Sequence, residues 1–401
     1  MARIITLASC AIIFLSCCAD LPNPRPESEP LYSGTRPAAQ TGSMTSPKAI
    51  ILMIGDGYGY NQLKASAYYG EGHYPSDQAA RFDLALAAST WPLNGSYDPE
   101  LAWSDFSYPP RSPTDSAAAA TALATGNKTE NGRISVLPDG SPLETLLERA
   151  ESRDMLTGIV TSVPVSHATP ACFAAHNASR GAYAAIADEM ILQSGLDVLL
   201  GCGNPDYDDN GSLRTSPDYS YVSQTTWESL LAGTAANDRD TDGTADPWEL
   251  VTDAEGVRAL GTASSFEHVI AMPRVGATLQ QRRSGDATSG AYAILPTPNV
   301  PNLAEMTAAA LNLLSKGSNG FVLVVEGGAI DWANHANQSG RMIEEARDFD
   351  LAVAAALQWI DSSPNGGEIL IVATADHESG YLLGPESGPG AFNAIIFRGI
   401  R

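Results

Sequence analysis

The sequence predicts an α/β fold: a mostly parallel central sheet with helices on both faces. Two observations carry this. Four short apolar runs rich in β-branched residues each end abruptly in polar or acidic residues. Helical patterns separate these runs, and alternating strands and helices favour parallel pairing.

The first run, Ala49 to Ile54, leads into Gly55-Asp56-Gly57. The second, Thr157 to Val160, precedes Ser166-His167-Ala168-Thr169. The third, Phe321 to Val325, enters Glu326-Gly327-Gly328, and the fourth, Ile369 to Ala373, enters Asp376-His377-Glu378. Apolar runs of this length read as buried strands. Helical spacing covers Thr114 to Thr125, Leu143 to Glu151, Ala182 to Gln193, Leu303 to Leu314 and Arg341 to Ile360. Open parallel sheets gather functional groups at the carboxyl ends of their strands. All four polar clusters are predicted there, on one edge. The stretch 203–262 is rich in Asp, Gly, Ser and Thr and reads as an insertion without a convincing strand.

The chain has 401 residues, 44% hydrophobic and 17% charged. It can bury a sizeable core, which excludes wholesale disorder. Its length suits two or three domains of about 150 residues, or one large α/β domain. With 23 basic and 46 acidic side chains the formal net charge is -23. That balance argues against nucleic acid as a partner, which needs a basic footprint. A local cation cluster would still admit small anionic substrates.

Arg3 followed by the apolar run Ile4 to Leu15 reads as a signal peptide over residues 1–18; it is shorter than the ~20 residues of a membrane span. Leu15-Ser16-Cys17-Cys18 resembles a bacterial lipobox, the alternative being an ordinary cleaved signal. Residues 19–47, rich in Pro, Ser and Gly, read as a disordered tether. The expectation is an exported protein, periplasmic, lipid-anchored at the cell envelope or secreted. In that oxidising setting Cys172 and Cys202 could pair, or stay free and buried.

The run Ala117 to Thr125 is a strong helix former, and Gly126 suits its C-cap. Ser116 then lies at the helix N-terminus, where free N–H groups and the dipole favour an anion. It reads as a nucleophile whose phosphorylated form the helix stabilises, or as one of three residues, with Thr114 and Asp115, able to cap the helix. Asp331 and His335, four apart, project from one helical face as a metal pair requires. Glu326 suits a harder cation such as Mg²⁺. Asp376-His377, Asp56, His167 and Thr169 add carboxylates, imidazoles and a hydroxyl at the other strand ends. The set, rather than any one residue, points to metals.

These motifs resemble the alkaline phosphatase family: Asp56-Gly57, Thr114-Asp115-Ser116-Ala117-Ala118, His167-Ala168-Thr169-Pro170, Glu326 to Asp331, His335 and Thr374-Ala375-Asp376-His377-Glu378, in order, across residues 48 to 380. The resemblance implies the family's three-layer sandwich over 48–401, often dimeric, and a phosphomonoesterase with two Zn²⁺ and one Mg²⁺. Ser116 would form a phosphoserine, and Arg180, in Ser179-Arg180-Gly181, would grip two phosphate oxygens. One zinc would take Asp331 and His335. The other would take Asp56, Asp376 and His377 and activate Ser116. Magnesium would take Asp56, Glu326 and either His167 or Thr169. Trp332 departs from the lysine or histidine of other branches. The family supplies a further zinc-ligand histidine downstream, and none follows His377 here. The C-terminus therefore reads as short or altered, and activity as impaired.

Asp238 to Glu249 fits the EF-hand loop pattern, with Asp238, Asp240, Asp242, Thr244, Asp246 and Glu249 as oxygen donors to Ca²⁺ and Pro247 opening an exit helix. Two other functions compete with the monoesterase. One is a phosphodiesterase or sulfatase on the same fold, which the serine and Arg180 disfavour. The other is a catalytically crippled surface relative that binds phosphate or calcium.

Overall fold

The structure, a computed structural model, describes residues 47–380 apart from 71–81, 83–87, 99–100, 102–104, 106, 241 and 266–267. The predicted signal peptide, nearly all of the tether and the segment beyond residue 380 lie outside the described residues.

Strand β1 (Ala49–Gly55) is followed by helix α1 (Tyr60–Gly70). Helices α2 (Ser116–Thr125) and α3 (Leu146–Glu151) precede β2 (Leu156–Pro164). Then come α4 (Ala168–Ala174), α5 (Tyr183–Leu192) and β3 (Val198–Cys202). The predicted insertion holds α6 (Gln224–Leu231), β4 (Ala236–Asn237), β5 (Asp246–Pro247), β6 (Glu249–Val251) and α7 (Ala254–Leu260). The chain continues through β7 (Val269–Ala271), α8 (Leu303–Leu314), β8 (Phe321–Gly327), α9 (Ala329–His335), α10 (Ser339–Ser362) and β9 (Ile369–Ala375).

Seven strands form one sheet in the order β6-β7-β3-β2-β8-β1-β9. Every pairing in it is parallel. The strand period of two then assigns faces. Ile51 and Met53 of β1 pack into one core with α8 and α10. Leu52 and Ile54 pack into the other with α2, α4 and α5. This is the expected sandwich, helices on both sides of a parallel sheet.

Two expectations about the insertion are corrected. It does contain strands: β6 pairs with β7 and extends the main sheet, while β4 and β5 form a two-stranded antiparallel ribbon. They run to two or three residues, too short to carry an alternating pattern. Pro247 lies in β5, paired with Ala236, and opens no exit helix. Cys172 and Cys202 are both free and buried. They belong to the cores on opposite faces of the sheet, so the sheet itself separates them.

Glu151 closes α3 and accepts a hydrogen bond from the Thr157 hydroxyl at 3.0 Å where β2 begins. Burial pushes its carboxyl up to about 7, against the pull of that hydroxyl. Its folded pKa thus stands above the ordinary glutamate value of about 4.3. The folded state is favoured most below that unfolded value, loses stability as pH rises from there to about 7, where the buried group is half ionised, and levels off above it. Glu151→Gln should therefore raise the melting temperature by a few degrees at pH 8 and by little at pH 4.5. Equal shifts at both pH values would refute the assignment.

Candidate active site

The sheet register delivers three carboxylates to one level. Gly55, the last residue of β1, is in register with Gly327 and with Ala375. Asp56 follows directly on β1, Asp376 follows directly on β9, and Glu326 is the penultimate residue of β8. Asp331 joins them from α9, one turn past the end of β8. Asp56 and Glu326 are fully buried, and Asp376 and Asp331 nearly so.

Such crowding shows in their protonation. Burial, then repulsion from Asp376, Asp331 and Glu326, holds the Asp56 carboxyl well above its ordinary value. Burial pushes Glu326 up to about 7, although the Thr161 hydroxyl donates to it. Burial likewise raises Asp376. Asp331 is the exception: burial opposes it, but its hydrogen bond with His335 holds it low.

Asp56, Asp376 and His377 place ligand atoms within 4.8 Å of one another. The His377 Nδ1 lies 2.9 Å from the Glu378 carbonyl oxygen, which can only accept. Nδ1 is thereby assigned the proton, and Nε2 turns a lone pair inward. That lone pair faces Asp56 Oδ1 at 3.5 Å and Asp376 Oδ2 at 3.3 Å. Three acceptors converge on one point, an arrangement that a cation resolves.

Unpaired oxygens and nitrogens support the same reading. Asp56 Oδ2, Asp376 Oδ2, Asp331 Oδ1, Glu326 Oε1, Thr169 Oγ1 and His167 Nδ1 are all buried without a hydrogen-bond partner. Buried polar atoms are rarely left so. Carboxylate and imidazole donors of this kind suit zinc, and carboxylate and hydroxyl oxygens suit magnesium. Asp331 and His335 form the second pair, 3.3 Å apart on the face of α9. Their i,i+4 spacing is the one predicted.

His167 caps α4 without a side-chain hydrogen bond. Its ring lies between Tyr183, stacked at 6.1 Å, and Trp332, edge-on at 5.1 Å. Burial, with Arg180 nearby, drives its pKa down to about 3, so the imidazole is neutral. Among the described residues His167 and Glu326 do not join a triad as tight as that of Asp56, Asp376 and His377. His176 and His268 sit elsewhere, one on the Leu143 carbonyl and one against Trp248.

Ser116 is the first residue of α2 and is buried. Its hydroxyl donates to Asp56 Oδ1 at 3.4 Å and lies 3.2 Å from His377 Nε2. Of the three capping alternatives the structure selects Asp115, whose Oδ1 accepts from the Ala118 amide. Ser116 is left for chemistry. The other oxygen of Asp115 accepts from Arg180 Nη1 at 3.0 Å.

Sequence reasoning missed two supporting residues. Asp115 was visible as a cap, yet nothing in the sequence signalled its hold on Arg180. Thr161 lies inside β2, where threonine reads as a strand former, and its register opposite Glu326 becomes plain only once the sheet is ordered. In the insertion, Asp238, Asp240 and Asp242 do gather, all exposed. Asp246 lies 3.4 Å from Arg239, and Glu249 is an exposed residue of β6.

A buried serine at a helix N-terminus, a guanidinium held by a carboxylate and a carboxylate–imidazole cluster able to hold a cation are the parts of a phosphoryl-transfer hydrolase on a parallel α/β fold. Residues 47–395 match the family pattern described as "Alkaline phosphatase". Alkaline phosphatase 3 of Bacillus subtilis strain 168 is 32% identical, covering 89% of this chain and 68% of its own. Alkaline phosphatase of Escherichia coli K12 is 31% identical, covering 90% and 78%. Two solved structures agree. The cold-active alkaline phosphatase of Shewanella sp. is 29% identical, with a TM-score of 0.57 over 82% of this chain and 68% of that one. The alkaline phosphatase of the Antarctic bacterium TAB5 is 26% identical, with a TM-score of 0.60 over 84% and 80%. The chain belongs to the alkaline phosphatase family, and is an enzyme of the phosphoric monoester hydrolase class.

If cations hold the buried acids together, removing them should loosen the fold. Dialysis against a chelator should lower the melting temperature by several degrees at neutral pH, and zinc with magnesium should restore it. An unchanged melting temperature in protein shown to be metal-free would sink the metal reading of these carboxylates.

Proposed function

We propose that the chain hydrolyses small phosphate monoesters through a phosphoserine on Ser116. The observation that carries this is the place of the Ser116 hydroxyl, at the N-terminus of α2 and within 3.4 Å of both Asp56 and His377. In the first half-reaction Ser116 Oγ bonds to phosphorus and the bond to the leaving oxygen breaks. The serine proton is balanced by the one the departing alcohol gains. The new phosphoseryl group sits on the free N–H groups of α2, where a helix favours an anion. Arg180, braced by Asp115, offers its fork to two phosphate oxygens. In the second half-reaction water attacks phosphorus, the bond to Ser116 breaks, the serine regains a proton and phosphate leaves.

Asp56, Asp376 and His377 would hold one Zn²⁺, Asp331 and His335 the other, and Asp56 with Glu326 and either His167 or Thr169 the Mg²⁺. When bound, such ions neutralise the attacking and leaving oxygens and acidify the serine hydroxyl. Asp331 and His335 offer two donors against three for the partner site. We propose further that the enzyme is exported, as a periplasmic, lipid-anchored or secreted protein, and that it assembles as a homodimer.

Ser116→Ala should abolish phosphoenzyme formation while leaving the fold intact, because Asp115 and not Ser116 caps the helix. Acid-quench labelling with a phosphate donor reads this directly. Equal labelling of the variant would remove Ser116 as nucleophile. The loop 238–249 supplies a Ca²⁺ site that stabilises the insertion without entering the chemistry, supported by the gathering of Asp238, Asp240 and Asp242. Calcium should raise the melting temperature of the parent and not of Asp240→Asn. Loss of the calcium site predicts no change in phosphatase rate.

A further inference from the structure

Asp56 sits inside a tight turn, and Tyr58 closes that turn. The Tyr58 amide donates to the Gly55 carbonyl at 3.2 Å, with Asp56 and Gly57 between them. The Tyr58 side chain folds back over the strand end. A Cβ on Gly55 would stand 2.5 Å from the Tyr58 Cβ and 2.8 Å from its ring, so the tyrosine lies directly on the last residue of β1. Asp56 donates its own amide to the Gly327 carbonyl at 3.3 Å, which ties the turn to the end of β8.

The far end of Tyr58 is fastened to α10. Its hydroxyl donates to Asp350 Oδ1 at 3.0 Å, and the buried Ser66 hydroxyl of α1 donates to Asp350 Oδ2 at 3.2 Å. Phe349, the residue before Asp350, meets the Tyr58 ring edge-on, with centroids 5.7 Å apart. Phe349 is buried and seated on β8: a Cβ on Gly327 would stand 2.9 Å from its ring. Two adjacent side chains of α10 therefore reach the ends of both β1 and β8. Phe349 covers Gly327, and Asp350 holds the ring that covers Gly55. These strand ends present Asp56 and Glu326.

We infer that Tyr58 is a positioning residue for Asp56, and that its bond to Asp350 fixes where the Asp56 carboxylate stands. The inference rests on the metal-dependent reading above, in which Asp56 serves a zinc and the magnesium and also meets the Ser116 hydroxyl. Asp56 stands among three like charges, Asp376, Asp331 and Glu326, which push it out of the cluster. A turn closed by one backbone bond offers little resistance of its own. A functional group has to be held within about 0.5 Å by packing and by hydrogen bonds behind it. Tyr58 supplies both: its ring packs on Gly55 and Phe349, and its hydroxyl is anchored on a helix of 24 residues. It acts through the turn, without touching the bound ions or the phosphate.

The test reads bound zinc rather than turnover. The full chain is equilibrated with magnesium and with zinc over a series of buffered free concentrations, and zinc is counted per chain. Asp56→Asn marks the binding step that belongs to Asp56. Tyr58→Phe keeps the ring and loses only the hydroxyl bond. It should move the marked step to about tenfold higher free zinc, the lower end of what the outer partners of a metal ligand contribute. Asp350→Ala should move it at least as far, and adding Tyr58→Phe to it should cost little more, because both remove the same bond. Asp350→Asn should recover most of the affinity, since its amide still offers an oxygen to Tyr58 and an N–H to Ser66. The melting temperature of metal-free Tyr58→Phe should stay close to that of the metal-free parent. A marked step left in place by both Tyr58→Phe and Asp350→Ala overturns the inference. So does a shift in Tyr58→Phe that comes with a fall of several degrees in the metal-free melting temperature, which would show a plain stability role. A parent chain that takes up no zinc overturns the metal reading itself, and this inference with it.

Discussion

Four buried carboxylates repel one another at the carboxyl edge of the sheet, and the rest of the site is arranged around that repulsion. Asp56, Glu326, Asp331 and Asp376 are each removed from water. An ionised carboxylate carries a penalty of several kcal/mol when buried, even after the protein relaxes around it. Arg180 is the arginine whose charge reaches Asp56 and Glu326, and one guanidinium does not balance four acids. Cations are the physical remedy, and the lone pair of His377 and the unpaired oxygens already point to where they would stand.

The scaffold that tolerates this is the all-parallel sheet. Its inner strands are buried on both faces, and their side chains alternate between two cores. Parallel strands also end together, so residues distant in the chain arrive at one level. Asp56 and Asp376 are separated by most of the described chain, yet Gly57 donates its amide to Asp376 Oδ1 at 3.0 Å. Gly57 has φ of +64°, and a Cβ there would stand 2.8 Å from Asp331 Oδ1. A glycine is what lets the backbone pass this close to the acids.

The elements that could be read from the sequence are the ones that carry their own signal. Strands β1, β8 and β9 are long apolar runs, and α8 begins and ends at the residues its pattern indicates. Strand β3 was passed over because Val198 to Leu200 is a brief run closed by glycine. Strand β6 depends on β7 for its pairing, and β7 in turn lies against β3. The site divides in the same way. Ser116, Asp56, Asp331, His335, Asp376 and His377 stand in compact motifs and were legible. Thr161 belongs to no motif. It acquires a role through sheet register, which local sequence does not contain.

Asp115 has a consequence that reaches into motion. One of its oxygens closes the first turn of α2, and the other holds Arg180 and the Gly132 amide. Nucleophile and phosphate clamp are thus fastened to a single carboxyl group. Displacement of the helix end carries the guanidinium with it, so the two fluctuate in phase. The separation between the attacking oxygen and a clamped phosphorus is then steadier than the position of either relative to the sheet.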